Sequence, residues 1–255
     1  MNSLVLNGKP LSDSLNLGNQ VHINPYDFSA ANQDPIVQEY LTFLPDIIVL
    51  AGTAEAVTAV MVPLEAAWPA SAPRPQYVLI DSVKVPDLIT AVTGNDDLRS
   101  RVRGTGVTPS SASQPVYDSF KVDYQVAYPG SAMVSGMGPA YDATYAIAFA
   151  LAAKMNDPVS GDSVKSGLRM LASGDSMEVG GTKVLSAFQK LTAGQAINAV
   201  GTYSNMSWSK DGTVNGGTLE MWCIGVSSGK PAFGSSGLTY DIMSGKQSGT
   251  YMSCN

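Results

Sequence analysis

Histidine, cysteine and charge are scarce in this sequence, and each shortage excludes a class of site. The 255 residues include one histidine and two cysteines, too few for a typical zinc site built from clustered ligands. Charged side chains make up 14% of the chain, the net charge is -6, and lysine and arginine form no cluster. This balance argues against nucleic acid as a partner, because nothing would offset the phosphate charge.

Long apolar runs are also missing. The longest candidate, residues 140–153, is interrupted by Asp142 and is predicted to form a buried helix rather than a membrane span. Residues 1–8 have neither a basic start nor an apolar core, so we expect no signal peptide there. At this length the chain can bury a large core as one domain or divide into two lobes.

Sequence motifs of catalysis and nucleotide binding are either absent or lack the neighbouring residues that their function requires. Gly225–Gly229 matches G-x-S-x-G, but a nucleophile elbow requires a following helix and a later histidine, whereas Lys230–Pro231 follows and His22 lies far upstream. Neither the dinucleotide fingerprint nor the phosphate-binding loop occurs. Asn95–Asp97 does not continue as a calcium loop. The sequence therefore predicts neither an enzyme nor a cofactor.

The two cysteines stand at opposite ends of the last segment of the chain. Cys223 lies in a strand-like run and Cys254 is the penultimate residue, so a disulfide would fasten the tail to the sheet. Two free thiols are also compatible with the spacing. Abundant Ser, Thr, Gly and Asn favour an extracytoplasmic protein.

The chain is organised around one unalternated apolar run, Ile47–Ala51, which suits a strand covered on both faces by helices. A helix is predicted next, kinked or ended early by Pro63. Right-handed crossovers then predict a parallel, three-layer α/β sheet. The predicted strands and helices of this part are 21–24, 34–44, 47–51, 54–67, 77–80, 86–92 and 101–105.

The composition changes after Thr105. Residues 108–115 are rich in Ser and Pro and are predicted to be a linker or hinge. Helical patterns follow without a convincing strand between them, so these helices need a sheet from elsewhere to cover. The predicted helices are 116–128, 139–154, 161–172 and 182–191, and further strands are predicted at 218–225 and 237–241.

Polar groups follow the predicted strands where the carboxyl ends of a parallel sheet meet. They are Tyr26, Thr53, Glu55, Asp81 and Ser82. Carboxylates and hydroxyls at this edge would hold an ammonium and a neutral polar group, with Tyr26 providing an apolar face. The alternative is that these side chains cap the helices that follow.

Several stretches in the same order resemble the type I periplasmic binding proteins, specifically the branched-chain amino-acid receptors of ABC transporters. The resemblance implies two α/β lobes that close on a small ligand like a hinged trap. It is carried by residues 45–53, 77–81, 103–105, 117–121, 140–143 and 208–212.

This resemblance implies a division of the chain. Residues 1–107 and 215–255 would form the ligand-binding second lobe, and residues 108–214 the hinge and the mainly helical part of the other lobe. The first-lobe amino-terminal strands of the family have no counterpart, so we expect the chain to correspond to the carboxyl-terminal two-thirds of a receptor. Helices left without their sheet would then favour a dimer.

The resemblance also implies the function. Tyr26 follows the first second-lobe strand, Thr53 and Ala54 the second, and Asp81 the third, where the family covers the ligand side chain and holds its ammonium. Asp81 is the expected counter-ion, while Thr53 in place of an aromatic weakens the case for leucine or valine. We expect a periplasmic or extracellular solute-binding protein that serves a transporter membrane subunit. The alternatives are a ligand-sensing domain of the same fold and an enzyme.

Overall fold

The computed structural model describes residues 5–6, 8–11, 13, 20–27, 33–131, 133–134 and 136–254. The strands are β1 (Val5–Leu6), β2 (Lys9–Pro10), β3 (Ile47–Leu50), β4 (Gln76–Leu79), β5 (Val102–Thr108), β6 (Asp175–Glu178), β7 (Ile197–Val200), β8 (Thr218–Ser227), β9 (Lys230–Asp241) and β10 (Lys246–Ser248). The α-helices are α1 (Asp34–Phe43), α2 (Val62–Ala67), α3 (Pro86–Val92), α4 (Asp96–Arg101), α5 (Gln114–Ala127), α6 (Met137–Ala153), α7 (Gly161–Leu168) and α8 (Val184–Thr192).

Six strands form the main sheet in the order β10-β9-β8-β5-β4-β3. The pairs β3–β4 and β4–β5 are parallel, and Leu50, Leu79 and Gly104 stand in register across them. The last three strands join antiparallel, with β8 beside β5. The predicted α/β class is thus confirmed, in a mixed sheet whose first three strands are parallel.

One face of this sheet carries the core. Ile48, Leu50, Tyr77 and Leu79 point into a buried cluster that also contains Trp222 of β8. Helices α1 to α4 contribute to the same cluster. They share a face because successive right-handed crossovers that advance in one direction across a sheet place their helices on the same side.

The other face is open near β3, which differs from the predicted three layers. Ile47 and Val49 remain 61% and 60% exposed, so the prediction that this strand is covered on both faces is wrong. The pleat alternates side chains between the faces even where the hydrophobicity does not alternate. In the described part of the chain the helices of this sheet lie on one face only.

Pro63 does not end its helix. Residues 56–61 are wound as a π-helix, in which the N–H of Val62 donates to the carbonyl of Val57, and α2 then continues to Ala67. Proline has no N–H for the carbonyl of Ala59, four residues earlier, and its ring crowds that group in an α-helix. The π-helix therefore lies directly before Pro63, at the point where the sequence predicts a kink or an end of the helix.

The strand predicted at residues 21–24 does not form. Val21 makes an isolated bridge, and residues 22–27 have no regular structure. His22 lies beside Glu39 of α1, with 2.8 Å between Nδ1 and Oε1, and its ring centroid is 4.2 Å from that of Phe43. Four alternating residues are a weak strand signal when side-chain partners compete for them.

A second buried cluster lies within residues 116–206 and includes Phe149, Leu171, Leu191 and Ile197. It is built on β6 and β7, which form a parallel two-stranded sheet. The sequence pattern predicts no strand here, because Asp175, Ser176 and Glu178 are poor strand formers. This small sheet gives α6 and α8 the surface that their apolar faces require.

A buried ion cluster ties α2 to β4 and α4. The carboxylate of Glu65, 8% exposed, accepts hydrogen bonds from Arg101 Nη1 and Nη2 (2.8 and 2.7 Å), Arg74 Nη1 (2.7 Å) and the Tyr77 hydroxyl (2.9 Å). Burial alone would raise the pKa of Glu65, but these hydrogen bonds and the arginine charges hold it below its usual value. The folded state therefore favours the ionised carboxylate.

The carboxyl-terminal tail is fastened to the sheet. Cys223 of β8 and Cys254 form a disulfide across 31 residues, with their Cα atoms 5.7 Å apart. Tyr251, in the same tail, lies with its ring centroid 5.6 Å from the Arg103 guanidinium of β5. The tail thus crosses the face of the sheet that carries no helix.

Replacing Glu65 by Gln will leave Arg101 buried without its carboxylate. We expect Glu65→Gln to lower the free energy of unfolding by roughly 3 to 5 kcal/mol. Because the pKa of Glu65 is lower in the folded state, its contribution is present above pH of about 4.3 and is lost as the pH falls through the folded value. Urea unfolding of both proteins over the acid range measures this.

Glu178→Gln makes the same substitution at an exposed position of β6 and serves as the control, with an expected change within about 0.5 kcal/mol. An equal loss in the two variants, or a loss in Glu65→Gln that does not shrink in acid, would contradict the role given to the buried cluster.

Removing the disulfide will free the tail. The variant Cys223→Ala/Cys254→Ala is expected to lose roughly 3 to 4 kcal/mol of unfolding free energy, as the chain-entropy model gives for a loop of this length. The wild-type protein in reductant should match it, while the variant itself should not respond to reductant. Two reactive thiols in the unreduced, unfolded wild-type protein would show that the bond is absent.

Candidate functional site

The turns after β3 and β4 meet at one edge of the sheet. Thr53, Ala54 and Glu55 follow β3, and Asp81 and Ser82 follow β4. Ala54 lies at the start of the helix that follows the first turn, where its carbonyl accepts the Thr58 hydroxyl at 3.1 Å. The Ser82 hydroxyl donates to the carbonyl of Gly52 at 2.7 Å, which joins the two turns directly.

Glu55 is the centre of the first turn. Its carboxylate accepts the N–H of Thr53 at 2.8 Å, the Thr53 hydroxyl, and the hydroxyl of Tyr26 at 3.1 Å. Burial opposes ionisation of Glu55, but these hydrogen bonds hold its pKa below the usual value. Burial and the neighbouring carboxylate raise the pKa of Tyr26 to about 12. The carboxylate of Glu55 is thus engaged by Thr53 in its own turn and by Tyr26, while the helix start that follows has no side-chain cap hydrogen bond.

Gly52 makes this arrangement sterically feasible. A Cβ at this position would lie 2.1 Å from the Tyr26 hydroxyl and 2.6 Å from Oε1 of Glu55, distances that a real side chain does not tolerate. The glycine therefore allows the loop that carries Tyr26 to approach the turn. Residues so close together leave little room for a ligand between Tyr26 and Glu55.

Asp81 belongs to a different group from Glu55. Lys84 Nζ lies 3.9 Å from Asp81 Oδ1 and 3.7 Å from Glu220 Oε1 of β8. The Lys84 side chain is 19% exposed, and its ammonium also lies 5.9 Å from the ring centroids of Trp222 and Phe233. The ammonium of Lys84 thus lies near two carboxylates of low exposure.

Asp81 also packs closely on β5. A Cβ at Gly106 would lie 2.3 Å from Oδ1 of Asp81, so glycine is required for the carboxylate to sit against the strand. The register places Gly106 opposite Glu220. The two carboxylates therefore approach the same part of the sheet, where β5 and β8 run out of the first buried cluster.

Two tyrosines of the intervening segment lie near this region, Tyr117 in α5 and Tyr203 in the turn after β7. The rings of Tyr117 and Tyr203 meet edge to face with centroids 5.5 Å apart. Burial raises the pKa of Tyr203, as do Tyr117 and the negative charges of Asp81 and Glu220. Tyr203 therefore lies within electrostatic range of both carboxylates. We call Asp81, Lys84, Glu220, Tyr117 and Tyr203 the crossing cluster.

The position of Tyr203 is set by its own neighbours. Both oxygens of Asp142, on α6, accept the N–H of Thr202 at 2.8 Å, and Oδ2 also accepts the Thr202 hydroxyl at 2.9 Å. Burial raises the pKa of Asp142, against the opposing effect of these hydrogen bonds. The carbonyl of Tyr203 accepts the N–H of Ser110 at 3.0 Å, which ties this turn to the end of β5.

The sequence singles out Asp81 but not its partners. Lys84 follows Asp81 by three residues, directly after the 3-10 turn Asp81–Val83. Side chains three residues apart on a helical turn are neighbours, so this spacing could have indicated the ion pair. Glu220 and Tyr203 carry no comparable signal, because their proximity to Asp81 depends on the register of β8 and on a turn in the second cluster.

The serine-hydrolase motif lies in a hairpin. Ser227 pairs with Lys230, and Ser228 and Gly229 form the two-residue turn with φ of 51° and 76°. A strand follows rather than a helix, so no nucleophile elbow forms.

Among the described residues, no group of three or more His, Cys, Asp or Glu side chains is placed to hold a metal ion. None of the helices in that part of the chain is long and apolar enough to cross a membrane.

No protein-family model matches the chain, and no curated protein matches it. Solved structures do. A leucine-binding protein, LivK, from Thermotoga maritima is similar over 81% of this chain and 48% of its own, with 15% identity and a TM-score of 0.53. A protein described as a branched-chain amino acid ABC transporter from Rhodospirillum rubrum is similar over 80% and 48%, with 18% identity. Its TM-score of 0.40 carries no argument.

The chain thus spans about half the length of each of these two proteins, with 48% covered in each. At 15% identity the likeness establishes the fold alone. It confirms, at the level of the fold, the resemblance that the sequence suggests. The chain is an α/β protein with the fold of the type I periplasmic binding proteins.

Proposed function

We propose that this protein binds a small, amine-bearing polar molecule such as an amino acid, without chemistry, as the solute-recognition component of an ABC transporter. The observation that carries the proposal is the crossing cluster, in which the carboxylates of Asp81 and Glu220 lie near the same ammonium, that of Lys84. Carboxylates so placed are the groups that accept charge-assisted hydrogen bonds from the ammonium of a ligand. The tyrosine rings provide the faces against which such a cation is stabilised.

The position of the cluster supports a closing mechanism. Asp81 and Glu220 belong to the part of the chain that builds the first buried cluster, and Tyr117 and Tyr203 to the part that builds the second. We propose that residues 1–107 with 215–255, and residues 108–214, act as the two lobes that this division suggests. A ligand that touches both favours the closed arrangement by its differential affinity.

The fold supports the remaining parts of the proposal. The similar protein from Thermotoga maritima is a leucine-binding protein, and we propose that this chain delivers its ligand to the membrane subunit of a transporter. A disulfide between Cys223 and Cys254 is typical of an oxidising compartment. We therefore propose a location in the periplasm or outside the cell.

The other residues at this edge of the sheet have an indirect role in the proposed binding. They are Tyr26, Thr53, Ala54, Glu55 and Ser82. Their hydrogen bonds shape the edge of the sheet from which Asp81 extends. We propose that they position Asp81 and border the ligand, and that Asp81 and Glu220 hold its ammonium.

Ligand binding will raise the thermal midpoint of unfolding. In a panel of amino acids and small amides, a ligand at about 100 times its Kd should add roughly 2.7 kcal/mol, which moves the midpoint by several degrees. Asp81→Asn and Glu220→Gln should each abolish the shift, because either change removes one of the two carboxylates proposed to hold the ligand ammonium. The N-acetylated form of the active compound should give no shift.

Asp87→Asn, at an exposed position of α3, is the matched control and should keep the full shift. A ligand that shifts the midpoint equally with and without a free ammonium would exclude the assigned role of the two carboxylates. A panel in which no compound produces a shift would count against solute binding by this chain.

We also propose that α5 mediates a dimer. Val122, Val126 and Tyr128 at its end are 61%, 75% and 59% exposed, and the i, i+4 spacing of the valines places them on one stripe. Light scattering should find the wild-type protein dimeric and Val126→Glu monomeric. Val159→Glu, at a residue 84% exposed outside the helices, should leave the dimer intact. A monomeric wild-type protein would refute the proposed dimer, and the ligand-binding proposal would be unaffected.

A further inference from the structure

A pocket of about 350 Å3 lies away from the crossing cluster, on the surface of the second buried cluster. One wall is the end of α7 with the 3-10 turn Arg169–Leu171, and the other is the tight turn at residues 208–212. Pockets of this size fall in the range that holds small organic ligands. Six of its lining residues carry the argument that follows: Lys165, Leu168, Arg169, Ala172, Trp208 and Lys210.

The floor of the pocket is apolar and held in place. Leu168 and Trp208 pack against the second buried cluster, and each remains partly accessible. Trp208 forms a bridge with Val214, and the N–H of Ser209 donates to the carbonyl of Thr213 at 2.8 Å. The indole ring is therefore presented by a closed turn of the backbone, and it offers a flat surface for a planar group.

The rim of the pocket is cationic. Lys165 and Arg169 come from the α7 side, and Lys210 comes from the opposing turn. Among the described residues, no carboxylate lies within ion-pair distance of any of these three. The chain carries a net charge of -6, so three cations around one pocket are a local reversal of its overall sign.

The one acidic residue that lines the pocket is already engaged. The Ser209 hydroxyl donates to the carboxylate of Asp211, and this bond together with backbone N–H groups of the turn lowers the pKa of Asp211. Asp211 thus stabilises the turn that carries Lys210. The helix dipole accounts for Lys165 in the last turn of α7, but not for Lys210, which belongs to another segment.

We propose that this pocket binds a small aromatic carboxylate. The planar body lies against Trp208 and Leu168, and the carboxylate is held at the rim by the guanidinium of Arg169 with Lys210 and Lys165 beside it. Arginine suits this role because its fork of N–H groups matches the two carboxylate oxygens. The site shares no lining residue with the crossing cluster, for which we propose a ligand of the opposite charge.

The test uses 2-naphthoate and the 15N-labelled full chain. The chain has three tryptophans, and the indole N–H signal of Trp208 is assigned by its loss in Trp208→Phe. Addition of 2-naphthoate should shift the Trp208 signal in a saturable way and leave those of Trp68 and Trp222 in place. The uncharged analogue 2-naphthamide should bind at least about tenfold more weakly, since it lacks the charge that the rim recognises.

A charge-matched pair of variants completes the test. Arg169→Gln/Lys210→Gln should weaken naphthoate binding by about tenfold or more, while Lys230→Gln/Lys246→Gln, which removes two exposed cations from β9 and β10, should not weaken it. Both variants change the net charge equally and should keep the wild-type spectrum elsewhere. Equal binding of the amide, equal weakening by both variants, or no Trp208 shift at millimolar naphthoate would each overturn the proposal.

Discussion

The antiparallel pairing of β5 with β8 is the constraint on which the rest of this structure depends. It joins Arg103 to Cys223 and Thr108 to Thr218, and so attaches the carboxyl-terminal hairpin to the parallel strands of the first half of the chain. Arg99 reinforces the junction by donating to the carbonyl of Ile224, 125 residues later, at 3.0 Å. The intervening segment builds its own buried cluster between the two partner strands.

The chemistry of the crossing cluster follows from that pairing. Glu220 comes within reach of Lys84 only because β8 lies beside β5 in this register, and Gly106 leaves the space in which Asp81 approaches the same strand. Two carboxylates that would repel each other in isolation are held near one ammonium.

Local patterns account for the parts of the fold that could be predicted. The runs at 47–50 and 76–79 are short, apolar and closed by turn residues, and the α/β class follows from their alternation with helices. The strand expected at 21–24 and the second helical layer fail because both depend on what packs against them. β6 escapes prediction because its polar residues are held by pairing with β7 rather than by their own propensity.

The same limit applies to the candidate site. The position of Asp81 at the end of β4 could be predicted because the end of a parallel strand is a local feature of the sequence, and its spacing from Lys84 is local too. Glu220 and Tyr203 come near it through a strand register and a turn that no local pattern encodes. Glu55 follows β3 as predicted, and its hydrogen bonds to Thr53 and Tyr26 are a feature of the folded turn.

The long separation between β5 and β8 has a consequence for the synthesis of the chain. When β5 leaves the ribosome, one of its edges has no partner, and it stays in that state until β8 follows more than a hundred residues later. An open edge of this kind is a template for pairing with another chain. Gly104 and Gly106 weaken β5 as such a template, because glycine lowers strand propensity. Gly104 and Gly106 leave the space that Trp222 and Asp81 occupy in the folded sheet. The same two glycines therefore also reduce pairing of β5 with another chain before β8 is synthesised.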